Sequence, residues 1–323
     1  MKRAADKRWT YLFAIAAAIV FFVAVAALVF YSGTPGKGNA LTSNGTNRIT
    51  VVVSFNPIYY LVKPVVGNSV NIQEIIAPGV EPHDYEPTPE DVVNLSKGSI
   101  FFYDGPALEN WAVQLAQAAN RSIELVPLID SINQSQINNE TNITVEDPHF
   151  WLDPALMPSV VKYIESRMVV LDPANAAEYT ANANAFIMQL NQLNSAYRTG
   201  LARCQSRTVI DSHAFLGYMA ISYNLTELAV GSESPDAEVS PQHVIAVIQN
   251  AEADHAHAIF QESADPTVAI NQNVAQAING TIYKIYTMEI LTPQQLKSGS
   301  NYISLMYQDL HILEQGLNCT PAS

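Results

Sequence analysis

The segment ITVVVSFNPIYYLVKPVVGNSVNIQEII (49–76) contains two short apolar runs on either side of a helical stretch. The runs at 49–55 and 70–76 are rich in valine and isoleucine, as strands are, while the residues around 57–66 have the pattern of a helix. A strand, a helix and a second strand in this order predict a parallel sheet that helices cover on both faces. The segment therefore indicates an α/β fold.

The same alternation continues through the rest of the chain. Further strands are predicted at 99–104, 122–128, 207–212, 226–231, 257–263 and 281–288, and further helices at 88–97, 107–119, 155–171, 214–223, 241–252, 266–278 and 300–316. The polar residues 130–146 interrupt the pattern, and we interpret them as a surface loop.

A long helix is predicted between the two groups of strands. Residues 174–203 are thirty positions without proline, and apolar side chains recur there at every third or fourth residue. These side chains are Tyr179, Ala183, Phe186, Leu190, Leu193 and Tyr197. A helix of that length would extend about 45 Å, which is more than a single lobe needs. We therefore predict two lobes with parallel-rich sheets, joined by one long rigid helix.

The first 47 residues have a different character from the rest. Residues 1–10 carry four basic side chains, and residues 11–31 are 21 positions without a charge, followed by a Gly/Ser/Thr/Asn-rich stretch at 32–47. At 1.5 Å per residue the apolar segment spans about 31 Å, the thickness of a bilayer core. Basic residues before such a span keep the N-terminus in the cytoplasm and place the rest outside. We expect a transmembrane anchor; the alternative is a cleaved signal peptide.

These patterns divide the chain into six parts. They are a cytoplasmic basic tip at 1–10, an anchor at 11–31, a flexible tether at 32–47, an N-terminal α/β lobe at 48–172, a linking helix at 173–203 and a C-terminal α/β lobe at 204–323. Beyond residue 31 the chain has 29 acidic and 12 basic residues, a balance of −17 within the overall −14. Such a surface repels phosphate backbones, so we expect no nucleic-acid partner. The 48% share of hydrophobic residues excludes intrinsic disorder.

Two further features agree with a location outside the cytoplasm. Nine N-x-S/T sequons all follow the apolar span, at Asn44, Asn94, Asn120, Asn133, Asn139, Asn142, Asn224, Asn279 and Asn318. They predict a glycoprotein, although Asn, Ser and Thr also cluster in loops without modification. The only cysteines, Cys204 and Cys319, are expected to form one disulfide in an oxidising compartment. Two free buried thiols are the alternative.

Three histidines and a glutamate lie in similar positions along the chain. They are His83 in EPHDYEP, His149 in DPHFWLDP, His213 in DSHAFLGY and Glu289 in YTME. Three of these four motifs follow predicted strands, and ligands of parallel α/β sheets bind at the carboxyl ends of strands. A single histidine there is usually structural, but three in similar loops favour a metal site. For the remaining histidines, which are His243, His255, His257 and His311, we expect surface or packing roles.

These motifs carry a family resemblance. The segments GVEPHDYEPTPEDVVNLSKGSIFFYDGPALENW (79–111) and DPHFWLDP (147–154) resemble the zinc/manganese-binding solute-binding proteins of metal ABC transporters, the cluster A-I or zinc-uptake/TroA-like family. SHAFLGY (212–218), ESPDAEVSPQHV (233–244) and IFQES (259–263) match in the same order, so the resemblance covers nearly everything from residue 48 onward. It implies two lobes, a rigid long helix between them and a metal site in the cleft.

The resemblance also implies which residues bind the metal. The first three ligands of the family fall on His83, His149 and His213. The fourth, often an aspartate, aligns with Glu289, which is a departure from the family pattern; water could fill this position instead. Glu238 and Glu262 match recurrent glutamates, for which we expect a supporting or structural role. Three imidazoles and one carboxylate suit tetrahedral Zn²⁺, whereas Mn²⁺ sites generally have more oxygen donors.

The function implied by the resemblance is metal capture and not catalysis. We expect an extracytoplasmic receptor, monomeric and membrane-anchored, that binds Zn²⁺ (Mn²⁺ as the less favoured ion) and delivers it to a cognate ABC permease. One alternative is a zinc hydrolase with Glu81 or Glu86 as general base, but the chain lacks an H-E-x-x-H motif. A metal-binding surface adhesion protein is the other alternative, suggested by the anchor and the sequons.

Overall fold

The structure is a computed structural model. It describes residues 48–119, 122–132, 147–232, 234–235, 237–262, 268–291, 295 and 297–320. The expected tip, anchor and tether lie outside the described residues, as does the predicted surface loop from residue 133 onward. Within the described ranges, no helix is both long and apolar enough to cross a membrane.

The first lobe is built on a four-stranded parallel sheet. Its strands are β1 (Thr50–Val53), β2 (Asn71–Glu74), β3 (Ile100–Tyr103) and β4 (Glu124–Pro127), in the order β2-β1-β3-β4. Every pair of neighbouring strands is parallel. The helices of this part of the chain are α1 (Asn56–Val66), α2 (Pro89–Leu95), α3 (Ala112–Ala118) and α4 (Met157–Leu171).

The second lobe repeats this arrangement. Its strands are β5 (Thr208–Asp211), β6 (Thr226–Ala229), β7 (Ala258–Glu262) and β8 (Thr281–Ile285), in the order β6-β5-β7-β8 and again all parallel. Its helices are α6 (Gly217–Ser222), α7 (Pro241–Ala253), α8 (Val268–Ala277) and α9 (Tyr302–Gly316). The expected pair of parallel-sheet α/β lobes is therefore confirmed.

Burial separates the central strands from the edge strands. The central strands β1, β3, β5 and β7 are buried at every position apart from Thr50, the first residue of β1. The edge strands β2 and β6 have no fully buried position, and the edge strand β8 has one. Helices cover both faces of the central strands, so their sequences are almost continuously apolar, whereas the edge strands tolerate polar residues.

A long helix, α5 (Ala176–Gly200, 25 residues), connects the two lobes. It is shorter than the thirty residues of the predicted segment because a 3-10 turn flanks it at each end, at Pro173–Asn175 and Leu201–Arg203. All six apolar positions of the predicted stripe are buried. The helix packs against α1 and α4 of the first lobe and α9 of the second. Its Tyr197 hydroxyl donates to the Met306 carbonyl at 2.7 Å. It thus shares side-chain contacts with both lobes.

The helices of the second lobe end in one recurrent turn. Asn224, His255, Asn279 and Asn318 follow α6, α7, α8 and α9 and have φ values of 54°, 53°, 50° and 53°. In each turn the next N–H donates to the carbonyl five residues earlier, at 2.7 to 2.9 Å. This is the Schellman arrangement, which satisfies the last carbonyls of a helix and needs a left-handed residue.

The expected disulfide joins Cys204 to Cys319, across a sequence separation of 115 residues. Cys204 follows the 3-10 turn at the end of α5, and Cys319 follows the left-handed Asn318 after α9. The bond therefore fastens the last helix to the start of the second lobe.

Candidate metal centre

Four loops at the carboxyl ends of the strands bring the predicted ligands together. His83 lies in the loop between β2 and α2, and His149 precedes a 3-10 turn, Phe150–Leu152, that leads to α4. His213 comes two residues after β5, and Glu289 comes four residues after β8. Each lobe thus supplies two of the four side chains, and the site lies between the lobes.

The donor atoms are close enough to share one ion. One ligand atom from each of His83, His149, His213 and Glu289 lies within 4.8 Å of all the others. The Glu289 carboxylate has one oxygen 3.3 Å from His83 Nε2 and the other 3.6 Å from His149 Nε2. Tetrahedral zinc with bonds of about 2.0–2.1 Å requires donor separations of about 3.4 Å. Small side-chain movements would therefore bring all four donors onto a single ion.

These donors are buried without hydrogen-bond partners. His149 and His213 have no exposed surface, Glu289 is 1% exposed, and the side chain of His83 is 6% exposed. Among the described residues, no hydrogen bond engages Nε2 of His83 or His149, either ring nitrogen of His213, or either carboxylate oxygen of Glu289. Buried polar atoms are nearly always hydrogen-bonded because an unsatisfied one is costly. One such atom from each of the four residues lies close to the other three, which is the arrangement of donors in a metal site.

Burial also sets the protonation state of the centre. It lowers the pKa of His83, and lowers the pKa values of His149 and His213 further below the usual imidazole value. A neighbouring imidazolium acts in the same direction on His149 and His213. Burial raises the pKa of Glu289 well above its ordinary value, and nearby Glu81 and Asp147 add to the effect. The imidazoles are therefore neutral at neutral pH, as metal ligands must be.

Asp147 fixes the orientation of His149. Its Oδ1 accepts the backbone N–H of His149 at 2.9 Å and lies 2.9 Å from His149 Nδ1. A carboxylate only accepts, so Nδ1 holds the ring proton and Nε2 presents its lone pair to the centre. A carboxylate behind a metal-binding histidine is a general arrangement that fixes the ring and raises its basicity. Asp147 was not predicted to have this role, although its position two residues before His149 is a signal present in the sequence.

The loop of His213 is held from two sides. Buried Asp211 at the end of β5 accepts the backbone N–H groups of Phe215 and Leu216 at 3.2 and 3.1 Å. On the other side, Gly231 follows β6, and its N–H donates to the Ser212 carbonyl at 3.0 Å. A Cβ at Gly231 would meet that carbonyl oxygen at 3.0 Å and the Cβ of His213 at 3.4 Å. Glycine at this position therefore allows close approach of β6 to the histidine loop.

The loop of Glu289 is attached to the loop of His149. The Trp151 indole N–H donates to the Thr287 carbonyl at 2.8 Å, and the Tyr302 hydroxyl donates to the Trp151 carbonyl at 2.6 Å. The Thr287 hydroxyl contacts the carboxylate of buried Glu262. Met288 has a φ of 66°, so the chain turns sharply just before Glu289. These contacts hold Glu289 opposite His149. They join residues that are far apart in the sequence, so no sequence motif contains them.

The other residues considered in the sequence are not among the four clustered donors. Glu238 is exposed, and Glu262 supports Thr287 as described above. His243 Nε2 lies 3.0 Å from the Ala229 carbonyl, and His257 Nδ1 lies 2.8 Å from the Ile278 carbonyl. His255 forms the left-handed turn after α7, and His311 is exposed on α9. Their places agree with the surface and packing roles expected for them.

The donor set is that of a binding site. Three imidazoles and a carboxylate form a complete tetrahedral shell, whereas catalytic zinc usually keeps one position open for water. Two side chains were considered as the general base of a hydrolase, and neither has a contact that indicates this role. Glu81 Oε1 accepts the backbone N–H of His83 at 3.1 Å, and Glu86 is exposed. No observation at the centre favours hydrolysis.

Comparisons with known proteins agree with this site. The family model described as "Zinc-uptake complex component A periplasmic" matches residues 51–316. The high-affinity zinc uptake system protein ZnuA of Bacillus subtilis is 30% identical over 96% of this chain and 98% of its own length. The zinc-binding lipoprotein AdcA of Streptococcus pneumoniae is 27% identical over 83% of this chain, which spans only 56% of that longer protein.

A solved structure extends the similarity to three dimensions. The Zn(II)-bound ZnuA-like domain of Streptococcus pneumoniae AdcA superposes with a TM-score of 0.71 and 26% identity, covering 84% of this chain and 99% of that domain. The resemblance found in the sequence is confirmed, and the family is one of substrate-binding receptors and not of enzymes. The chain therefore belongs to the zinc-uptake complex component A family.

Proposed function

We propose that this protein captures Zn²⁺ outside the cytoplasm and hands it to a cognate ABC permease. The observation that carries the proposal is the set of buried, unpartnered donors of His83, His149, His213 and Glu289 between the two lobes. The relative in Bacillus subtilis is a zinc uptake protein and the one in Streptococcus pneumoniae is a zinc-binding lipoprotein, which supports zinc over manganese as the ion.

The chemistry of the four donors supports selection of zinc. Neutral imidazoles are good ligands for Zn²⁺, whereas carboxylate, carbonyl and water ligands suit Mn²⁺ better. The single carboxylate of Glu289 offsets part of the charge of the ion in a site with little contact with water. One bound zinc ion would supply a partner for one donor atom of each of these four residues.

Delivery follows from the division of the ligands between the lobes. His83 and His149 come from the first part of the chain, and His213 and Glu289 come from the second. A bound ion therefore links the two lobes, and a relative movement of the lobes would separate its ligands. We propose that the permease recognises the zinc-linked arrangement and that loss of this arrangement releases the ion to it.

The remaining parts of the chain fit the same function. We propose that residues 11–31 anchor the protein in the membrane, that residues 32–47 are a tether, and that 48–172, 173–203 and 204–323 form the first lobe, the linking helix and the second lobe. The uncharged 21-residue segment supports the anchor, and the sequons that follow it support an extracytoplasmic glycoprotein. A monomer is sufficient, because a single chain supplies all four proposed ligands.

The test is a zinc titration of the full chain, purified in detergent without chelators. We expect one tightly bound Zn²⁺ per chain and much weaker binding of Mn²⁺. The ligand variant His83→Ala should lose tight binding, whereas His243→Ala, at an exposed helix position, should bind zinc as the wild type does. A wild-type protein without a tight zinc site, or a His83→Ala variant with unchanged affinity, would contradict the proposal.

A further inference from the structure

The metal-binding function makes no use of the asparagine sequons that the sequence analysis singled out. Four of them are within the described residues, at Asn94, Asn224, Asn279 and Asn318. These four asparagines differ in exposure and in side-chain hydrogen bonds. The differences indicate which of them could accept a glycan.

Two of the sequons lie at equivalent turns at the edges of the second sheet. Asn224 is two residues before the start of β6, and Asn279 is two residues before the start of β8. These are the two edge strands of the sheet, whose order is β6-β5-β7-β8. The sequon threonines, Thr226 and Thr281, are the first residues of these strands, and both are exposed.

The side chains of both asparagines are accessible. Asn224 and Asn279 are exposed, and left-handed φ values of 54° and 50° place them at the corners of their turns. Within the described residues, no hydrogen bond involves the side-chain amide of either one. An exposed amide nitrogen without a hydrogen bond is accessible to a modifying enzyme.

The other two sequons are engaged in the fold. Asn94 is half-buried inside α2, and its Oδ1 accepts from Lys97 Nζ at 3.0 Å, while the Ser96 hydroxyl of the same sequon donates to the Val93 carbonyl at 2.7 Å. Asn318 donates its side-chain N–H to Gln205 Oε1 and precedes a disulfide-bonded cysteine. In both sequons, a group that glycosylation requires is already in use.

The left-handed turn explains the choice of asparagine but not the whole sequon. Asparagine tolerates positive φ, yet the fourth turn of this type in the lobe, after α7, has His255 and no sequon. That turn leads into β7, a central strand. Among the turns that lead directly into a strand, the complete sequons therefore occur where an edge strand begins.

We propose that Asn224 and Asn279 are N-glycosylated and that the glycans cover the face of the second lobe formed by the amino ends of its strands. The proposal rests on the proposed function only in placing this part of the chain outside the cytoplasm. A membrane glycosyltransferase would transfer the glycan from a lipid-linked phosphate donor. The bond from sugar C1 to the phosphate oxygen breaks and a bond from C1 to Asn Nδ2 forms. The amide nitrogen loses one proton, and the lipid phosphate leaves as the anion.

Glycans at these positions leave the metal centre free. The proposed ligands His213 and Glu289 follow the carboxyl ends of β5 and β8, so they lie at the opposite ends of the strands from Asn224 and Asn279. The sugars would also cover the starts of two edge strands, whose unpaired backbone groups otherwise invite association with other chains. The face at the amino ends of the strands would then carry the glycans, which keep the protein soluble and protected. The face at the carboxyl ends would carry the metal centre and transfer the ion.

The test is glycopeptide mass spectrometry of the full protein isolated from the membranes of its own cells. Cleavage after glutamate separates the two sites, because residues 179–227 contain Asn224 and residues 263–289 contain Asn279. We expect a glycan on each of these peptides and none on residues 253–262, which include the His255 turn. Unmodified Asn224 and Asn279, or a glycan on Asn94 in their place, would overturn the proposal.

Paired variants expressed in the same cells distinguish the effect of the sequon on glycosylation from the effect of the turn. Thr226→Val and Thr281→Val keep the asparagine and its turn but remove the acceptor sequence, so each should lose the glycan at its own site. Thr226→Ser and Thr281→Ser keep an acceptor sequence and should remain modified. A glycan that persists in the valine variants would contradict the assignment. Zinc binding by the same preparations reports separately on the metal-capture function and should be unchanged in all four variants.

Discussion

The loops at the carboxyl ends of the strands and the turns at their amino ends are built in opposite ways. At the carboxyl ends, the loops are irregular, and His83, His149, His213 and Glu289 have six buried side-chain atoms for which the described residues provide no hydrogen bond. At the amino ends of the second lobe, four turns share one geometry, and each has the same backbone hydrogen bond that ends a helix. The loops at the carboxyl ends thus offer buried donors to a ligand, while the turns at the amino ends satisfy their own backbone groups.

This difference indicates that the amino ends of the strands contribute mainly to stability and the carboxyl ends mainly to function. A Schellman turn and a disulfide satisfy or restrain the chain by themselves, so they stabilise the protein whether or not zinc is present. The centre formed by His83, His149, His213 and Glu289 buries polar groups, which is costly without partners, and a bound ion would offset that cost. Substitutions at the amino ends should therefore change stability alone, and substitutions at the carboxyl ends should change zinc affinity first.

The largest effect on stability is expected from removing the disulfide at the amino ends. The double substitution Cys204→Ser with Cys319→Ser opens a loop of 115 residues, and we expect the free energy of unfolding to fall by about 4–5 kcal/mol. Denaturant titration of the zinc-free protein measures this loss. Zinc affinity of the folded variant should be unchanged, and a large loss of affinity would contradict the separation of the two ends.

The next largest effect is expected from removing a ligand at the carboxyl ends. His213→Ala deletes one of four donors, and we expect zinc affinity to fall by at least about 100-fold, because even partners behind a ligand contribute about 10–100-fold. His255→Ala is the matched control, since it changes a histidine at the amino-end turn after α7. Zinc titration with a competing chelator measures both variants. Equal losses in the two variants would disprove the comparison.

A smaller effect is expected at Asp147, which contacts the proposed ligand His149 and is not itself one of the four donors. Asp147→Ala removes the acceptor that fixes the proton on His149 Nδ1, and we expect zinc affinity to fall by about 10–100-fold. Asp147→Asn keeps an acceptor oxygen without the charge and should lose less. If both variants bind zinc as the wild type does, Asp147 has no orienting role.

The pH dependence of zinc binding is expected to come mainly from Glu289. The lowered pKa values of the three histidines keep them neutral down to a pH below the usual imidazole value of about 6.5. The pKa of Glu289 is raised, so zinc must displace a proton from it, and affinity should increase as pH rises through that pKa. Calorimetry in buffers of different ionisation enthalpy counts the protons released. Glu289→Gln should release fewer, and an unchanged count would place the proton elsewhere.

The smallest effect is expected at a single amino-end turn. Asn224 has a φ of 54°, and Asn224→Ala, in protein made without glycosylation, should cost about 1 kcal/mol because alanine is disfavoured in left-handed backbone. Asn224→Gly should cost less, since glycine adopts this conformation freely. Thermal unfolding compares the two variants. A larger loss with glycine than with alanine would contradict the role of the turn.

Much of the fold and the location of the centre could be predicted from the sequence. The alternation of apolar and polar residues was enough to predict the strands and the buried stripe of α5. The loops of His83, His149 and His213 stood out because their sequence contexts are similar. Glu289 was a candidate from its place after a strand, but its assignment as the fourth ligand came from the resemblance, because a glutamate after a strand is common. The contact between Trp151 and Thr287 joins residues 136 positions apart, so no local pattern contains it. The orienting role of Asp147 likewise depends on side-chain geometry.

The most direct test of the account is an anomalous diffraction map of the zinc-loaded protein, recorded on both sides of the zinc absorption edge. We predict one strong peak between the lobes, about 2.0–2.2 Å from a nitrogen of each of His83, His149 and His213 and from a carboxylate oxygen of Glu289. A zinc peak bound by other residues, or no ordered zinc between these four side chains, would contradict the central claim.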